Sequence, residues 1–250
     1  MNLKTIITSF LLIFLIGSGY SQSANNLLTS LDELMAKAND KQATVQIILT
    51  SKSGKQKIKE ALMLEKGRKK KLYRYTKPES QAGIATLSLP DGVMWMYMPA
   101  FGRATKISML SKSQAITGTD FAYEDMNYTT YSSLYKPDLV EDKNPDYYVL
   151  KLTPKSKKSE YESILLYLNK EHHYPIKMEY FDKKDEMFKE ASYNYVLKNG
   201  YWYAEEVLMK DLKKEHSTKI IMTDVKFDLG LQDSIFTVEY LKQFSKQEIK

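Results

Sequence analysis

"VMWMYMPAFGRATKIS", residues 93–108, decides how the rest of the chain is read. A strand alternates its side chains between two faces, so Met94, Met96 and Met98 share one face and Trp95 and Tyr97 the other. A sheet with one face in water is apolar on one side only. Here both sides are apolar, and the run ends sharply at Pro99, Gly102 and the cations Arg103 and Lys106. The strand needs something to touch on each face.

The same rhythm recurs outward in both directions. "ATVQIILTS" (43–51), "KQKIKEALMLEKG" (55–67) and "KKKLYRYTK" (69–77) precede it, with Gly54 and Gly67 at the breaks. "DYYVLKLTP" (146–154), "YESILLYLNK" (161–170) and "HYPIKMEYFD" (173–182) follow at strand length. "KEASYNYVLK" and "YWYAEEVLMK" flank Asn199-Gly200, the strongest short signal for a two-residue hairpin turn. "STKIIMTDVKFDLG" adds a strand, and "TVEYLKQF" near the end reads as a short helix. About eleven strand-like segments at this spacing predict an all-β barrel or sandwich. Several strands are apolar on both faces, which suits either a ligand cavity or a filled core; composition does not separate the two.

One helix precedes the strands. In "NNLLTSLDELMAKAND" (25–40), Leu27, Leu28, Leu31, Leu34 and Met35 recur at helical spacing, with Asn25 or Asn26 as the N-cap. Before it, Lys4, the apolar run Ile6–Gly17, and Gly19 and Ser21 ahead of Gln22 have the layout of a cleavable secretory signal peptide. Residues 1–21 are therefore expected to be removed and 22–250 to form one domain. No other run is long enough to cross a bilayer, so no transmembrane segment is expected in the mature chain.

With no cysteine there is neither a disulfide framework nor a lipidation site after the leader, and stability must come from burial. The net charge of +6 comes from 37 Lys and Arg interleaved with 31 Asp and Glu, which reads as solvation with mild attraction to anionic surfaces. An exported chain meets little nucleic acid, and none is expected as a partner. His172 and His173 point to opposite faces if extended, so they and His216 predict no metal site, and no cofactor is expected. There is no G-x-S-x-G elbow, H-E-x-x-H helix or P-loop, and Glu124 and Asp125 diverge too far on a helix to pair as acid and base. No enzymatic activity is expected. The 19 tyrosines read mainly as cross-strand ladders, with an exposed glycan-binding surface as the other reading.

Residues 109–135, "MLSKSQAITGTDFAYEDMNYTTYSSLY", are the least strand-like segment. Asp120 before "FAYEDM" reads as the N-cap of a short helix, or the loop closes over the sheet's mouth. Here the sequence resembles the LolA-like family of outer-membrane lipoprotein-sorting proteins. Trp95, Tyr97, Pro99, Arg103, Lys106 and Ile107 match the first half of the family's pattern. Gly118, Thr119, Asp120, Phe121, Tyr123, Glu124 and Asp125 match the second. Ala104 and Ala122 depart from it, where a second basic residue and a hydroxyl residue are common.

The resemblance implies a mainly β fold: a strongly curved antiparallel sheet, an unclosed barrel, with helices covering its concave face. It implies a periplasmic carrier whose apolar cavity shelters acyl chains of lipoproteins or other lipids, with delivery partners at the inner and outer membranes. Met94, Trp95, Met96, Tyr97, Met98, Phe121 and Tyr123 would line that cavity, the period of two leaving open which face of 93–98 does so. Arg103 and Lys106 would meet a head group or stay solvated. Pro99, Gly118, Asp120, Glu124 and Asp125 would shape the loop. A non-catalytic envelope module binding polysaccharide or a protein is the competing reading.

Overall fold

The computed structural model describes residues 23–67, 70–107, 118–122, 125, 130–141 and 143–243. The expectations placed on 1–21, Tyr123 and Glu124 lie outside these residues. Helix α1 (23–35) opens the described chain. The first meander is β1 (Asp40–Thr50), β2 (Gln56–Lys66), β3 (Lys70–Lys77), β4 (Ala85–Leu89), β5 (Val93–Met98) and β6 (Arg103–Lys106). After α2 (Tyr131–Leu134) comes the second: β7 (Tyr135–Val140), β8 (Tyr147–Pro154), β9 (Ser163–Asn169), β10 (Pro175–Phe181), β11 (Met187–Lys198), β12 (Tyr201–Asp211) and β13 (His216–Phe227). Helix α3 (Val238–Gln243) closes the described chain.

These thirteen strands form one antiparallel sheet in the order β6-β5-β4-β3-β2-β1-β13-β12-β11-β10-β9-β8-β7. It is not closed into a barrel, because β6 and β7 remain at its two ends. The two meanders meet at the seam of β1 with β13, where Val45 faces Met222 and Ile47 faces Ile220. Asn199 and Gly200 both take positive φ between β11 and β12, as the hairpin signal predicted. Three strands escape a reading by hydrophobic rhythm: β4 is only five residues long, β6 is the polar "RATK", and β7 is "YKPDLV", with a proline in its middle.

Strand parity sorts the side chains into two cores. On the inner face, Val45, Ile47, Ala61, Met63 and Tyr75 join Leu150, Leu166, Met178, Ala191 and Met209. Leu27, Leu28 and Leu31 of α1 complete this cluster, so one helix covers residues from both meanders. Asp32 of α1 ties it to α2, accepting from the backbone N–H groups of Tyr131 (2.8 Å) and Ser132 (3.0 Å).

The outer face of β2–β5 carries a second core of Leu64, Leu72, Ala85, Leu87, Phe236 and Leu241. Trp95 and Tyr97 pack here with Val238 and Tyr240. This is what the second apolar face of residues 93–98 touches. Arg74, almost fully buried, donates from Nη2 to the Leu241 carbonyl at 3.2 Å and so fastens the last turn of α3. Lys66 and Lys70 each reach Asp233 at 3.0 Å. The expectation that helices cover the concave face thus holds for α1 and is corrected for α3, which covers the opposite face because a second apolar stripe needs its own partner.

Candidate functional site

Between α1, α2 and the inner face lies a cavity of about 230 Å³. Its walls are largely aromatic: Tyr73, Tyr131, Tyr180, Tyr193, Tyr195 and Tyr203, with Ile164, Val207, Ile220 and Met222 between them. Three tyrosine hydroxyls converge on a methionine; those of Tyr180 and Tyr193 lie 3.4 Å and that of Tyr131 3.9 Å from Met178 Sδ. Burial raises the Tyr131, Tyr180 and Tyr193 phenols above their ordinary range, so they stay neutral. The wall is polarisable and uncharged over most of its area, which suits an apolar guest.

One end of the cavity reaches the surface, where Met35, 47% exposed, is part of the lining together with Gly67, Tyr201 and Phe227. Lys41, Glu65 and Lys71 stand at the same end. Tyr174 and Tyr195 stack with centroids 4.9 Å apart, and Trp202 lies 5.0 Å from Tyr174. His172 lies 4.7 Å from Trp202. The turn that carries the two histidines is thus an aromatic flank of the cavity wall, and no cluster of three metal-ligating side chains occurs among the described residues.

The other end is stopped by residues 118–122. Phe121 separates the main cavity from a smaller one of about 40 Å³ lined by Val45, Tyr75, Ser88, Met94 and Thr119. Two buried carboxylates hold this stopper down. Asp120 accepts from Thr218 Oγ1 at 2.6 Å and lies 2.8 Å from His216 Nδ1. Its own N–H donates to Thr218 Oγ1 at 2.9 Å. Asp125 accepts from the Tyr161 hydroxyl at 2.7 and 2.9 Å and from the Ala122 N–H at 2.7 Å. Burial pushes the Asp125 carboxyl up to about 6, against the pull of Lys189 and of these hydrogen bonds.

Among the residues that the sequence singles out, Phe121 borders both cavities, Met94 the smaller and Asp125 the main one. Met96 and Met98 share the parity of Met94 but line neither cavity. Trp95 and Tyr97 are corrected to the outer core under α3, since adjacent strand positions face opposite ways. Arg103 and Lys106 are exposed on the edge strand, Pro99 is exposed in the turn before it, and Gly118 is exposed with positive φ. The N-cap expectation for Asp120 is corrected as well: Ala122 carries a β-bridge, and the carboxylate serves side chains of β13 instead.

The tyrosine wall and the Lys41–Glu65–Lys71 group escape attention in the sequence. A signal for the group was present, because Glu65 shares strand parity with Ala61 and Met63, and Lys71 shares it with Tyr73 and Tyr75. Charges on an apolar parity are the pattern to look for.

A model of a family described as uncharacterized protein matches residues 67–243. The chain belongs to that family. Its structural relatives agree with the resemblance to LolA-like proteins. A protein domain from Vibrio parahaemolyticus, described as sorting outer-membrane lipoproteins, is 28% identical with TM-score 0.77, over 86% of this chain and 98% of that one. A LolA-superfamily protein from Nitrosomonas europaea is 26% identical with TM-score 0.73, over 87% of this chain and 98% of that one. A DUF1329 family protein from Desulfovibrio piger shares the fold at 22% identity and TM-score 0.82, over 89% of this chain and 99% of that one. No curated protein matches. This is a LolA-like chain, and none of its described helices is long and apolar enough to cross a membrane.

Proposed function

We propose that this LolA-like chain is a periplasmic carrier that shelters acyl chains of lipoproteins or related amphiphiles and performs no covalent chemistry. The observation that carries this reading is the 230 Å³ cavity on the inner face, walled mostly by aromatic and aliphatic side chains, with a few charged groups among them, and open at the Met35 end. Each methylene moved from water into such a space contributes about 0.8 kcal/mol, so one chain supplies several kcal/mol after ordering costs. The volume lies below the ~300–1,000 Å³ of typical ligand pockets. A full acyl chain therefore requires α1 or the Phe121 stopper to shift, and such a shift would also release cargo. Tyr195 and Trp202, on which a glycan-binding alternative would draw, belong to the cavity wall, and this favours the lipid.

The test is native mass spectrometry with solvent extraction on protein purified from periplasm without detergent. Stoichiometric lipid or lipopeptide supports a carrier, and its mass begins to name the cargo. A clean apo mass together with no uptake of a fluorescent fatty acid refutes it. Val207→Trp, which fills the cavity from β12, should weaken that uptake at least tenfold in a folded protein.

A further inference from the structure

The open end of the cavity is built from four segments that hold one another. The Lys37 ammonium, just after α1, donates to the Gly200 carbonyl at the tip of the β11–β12 hairpin at 3.0 Å. The Asn39 N–H donates to Asp228 Oδ1 at 2.9 Å, and the Tyr201 hydroxyl donates to the other oxygen of that carboxylate. The Leu229 N–H donates to Asp40 at 2.6 Å, and the Gly67 N–H to the Asn39 carbonyl at 2.7 Å. The end of α1, the β2–β3 turn, the hairpin tip and the chain leaving β13 thus form one rim. Met35, Gly67, Tyr201, Trp202 and Phe227 of these segments also line the cavity, so the rim is its mouth.

Three apolar side chains of this rim meet the solvent: Met35 is 47% exposed, Leu197 58% and Leu229 45%. They come from three different segments, so the patch is a property of the rim and not of one loop. Half-buried rings stand behind them. Trp202 is opposite Leu197 in the strand register, Tyr174 lies 5.0 Å from Trp202, and Tyr201 lies 4.7 Å from Phe227. Tyrosine and tryptophan, each an apolar body with a polar tip, suit a lipid–water boundary. In the rim's own stretches, 35–40, 197–202 and 226–230, the exposed cations are Lys37, Lys198 and Lys226, against Asp228 as exposed carboxylate. Apolar tips, aromatic rings and outward lysines in one place complement the acyl layer, the boundary and the head-group charge of an anionic bilayer. A second copy of the chain would bring the same lysines against one another, and like charges oppose that contact.

We propose that this rim docks the mouth of the cavity on a bilayer containing anionic phospholipid. The purpose rests on the carrier reading: cargo then passes between cavity and bilayer without crossing water. Docking itself needs no cargo, so the two are tested apart.

The experiment is co-sedimentation of protein purified from periplasm with phosphatidylcholine vesicles, with and without phosphatidylglycerol. Uptake of a fluorescent fatty acid from solution is measured alongside. Binding is expected to the vesicles with phosphatidylglycerol, and high salt should weaken it. Leu197→Gln should weaken it about tenfold, because one apolar anchor no longer enters the acyl layer. Lys198→Gln should weaken it about fivefold. Both variants should take up the fatty acid as the wild type does, since neither side chain lines the cavity, and normal uptake shows them folded. Phe101, 64% exposed on the turn before β6, is the control, and Phe101→Ser should leave vesicle binding unchanged. If Phe101→Ser weakens binding as much as Leu197→Gln does, the contact is general adhesion and the docking surface falls. Equal binding to both vesicles, or none to either, overturns the docking and leaves the carrier reading to the uptake result. If Leu197→Gln instead abolishes a dimer, the rim belongs to a second copy and the proposal is wrong. Vesicle binding without fatty-acid uptake keeps the docking surface and removes the carrier.

Discussion

The outer face of the sheet has two halves built on different rules. Over β2–β5 it is apolar and lies under α3, with Leu72, Leu87, Phe236 and Leu241 buried. Over β10–β13 it is open and carries ion pairs: Lys177 with Glu179, Lys210 with Glu190, Lys219 with Glu206. The strands of both halves pair antiparallel with their neighbours, and the difference lies in what covers their outer face. Whether a strand needs a second apolar face is thus decided by a helix more than 130 residues further along the chain, not by the strand.

The sharpest way to break this comparison is to unload the covered half. Phe236→Ala should cost about 3–5 kcal/mol, the range for removing a buried phenylalanine, read as a lower urea midpoint at unchanged slope. Trp95 emission should shift to the red if α3 lifts. A loss below about 1 kcal/mol would mean that α3 is an ornament and that the two halves are equivalent.

A smaller effect separates a carboxylate of the interior from one at the surface. Asp125 is raised to about 6 by burial, whereas Asp182, on an exposed turn, is held down to about 2 by hydrogen bonds from Lys213 and from backbone N–H groups. In the unfolded chain Asp125 loses its proton near its ordinary value of 3.8. Between about pH 4 and 6 the folded state therefore holds more protons at this site, and its contribution to stability falls as pH rises. Asp125→Asn should gain on the wild type by roughly 2–3 kcal/mol in moving from pH 4 to pH 7.5. Denaturation midpoints at the two pH values check it, and parallel shifts of the two proteins would contradict it.

Gly200→Ala tests the hairpin between the halves of the cavity rim. At φ +81° a side chain is strained, and a loss of about 1 kcal/mol is expected by the same denaturation assay. The smallest effect belongs to the open face. Lys210→Ala, which breaks a 2.8 Å pair with Glu190, should cost under about 1 kcal/mol and less in high salt. A larger loss would show that the open face is held as tightly as the covered one.

The sequence reading succeeded where the information is local. Alternation located the long strands, Asn199-Gly200 marked its turn, and the leucine stripe of α1 marked its buried side. It failed where a residue's role depends on distant partners. Asp120 has the look of an N-cap because N-caps are local, yet its partners His216 and Thr218 lie more than ninety residues away. Trp95 and Tyr97 required knowledge of where α3 docks. The cavity was legible only as an alternative to a filled core, since period-two patterning fixes which face a side chain is on, not how much space it leaves. The Lys41–Glu65–Lys71 group was within reach, because its parity is written in β2 and β3.

The seam between β1 and β13 has a consequence for when this protein can exist as a folded object. Each meander is made of neighbouring hairpins whose closure costs little entropy. The join between them pairs Lys41 with Phe227 and Thr50 with Ser217, so it cannot begin until nearly the whole chain is available. A chain in which β1 and β13 have not yet paired holds two unfinished half-sheets, each with an exposed apolar inner face and a bare strand edge. Closure of the sheet therefore waits for β13: that strand admits β1, and only then is the space between the two meanders enclosed.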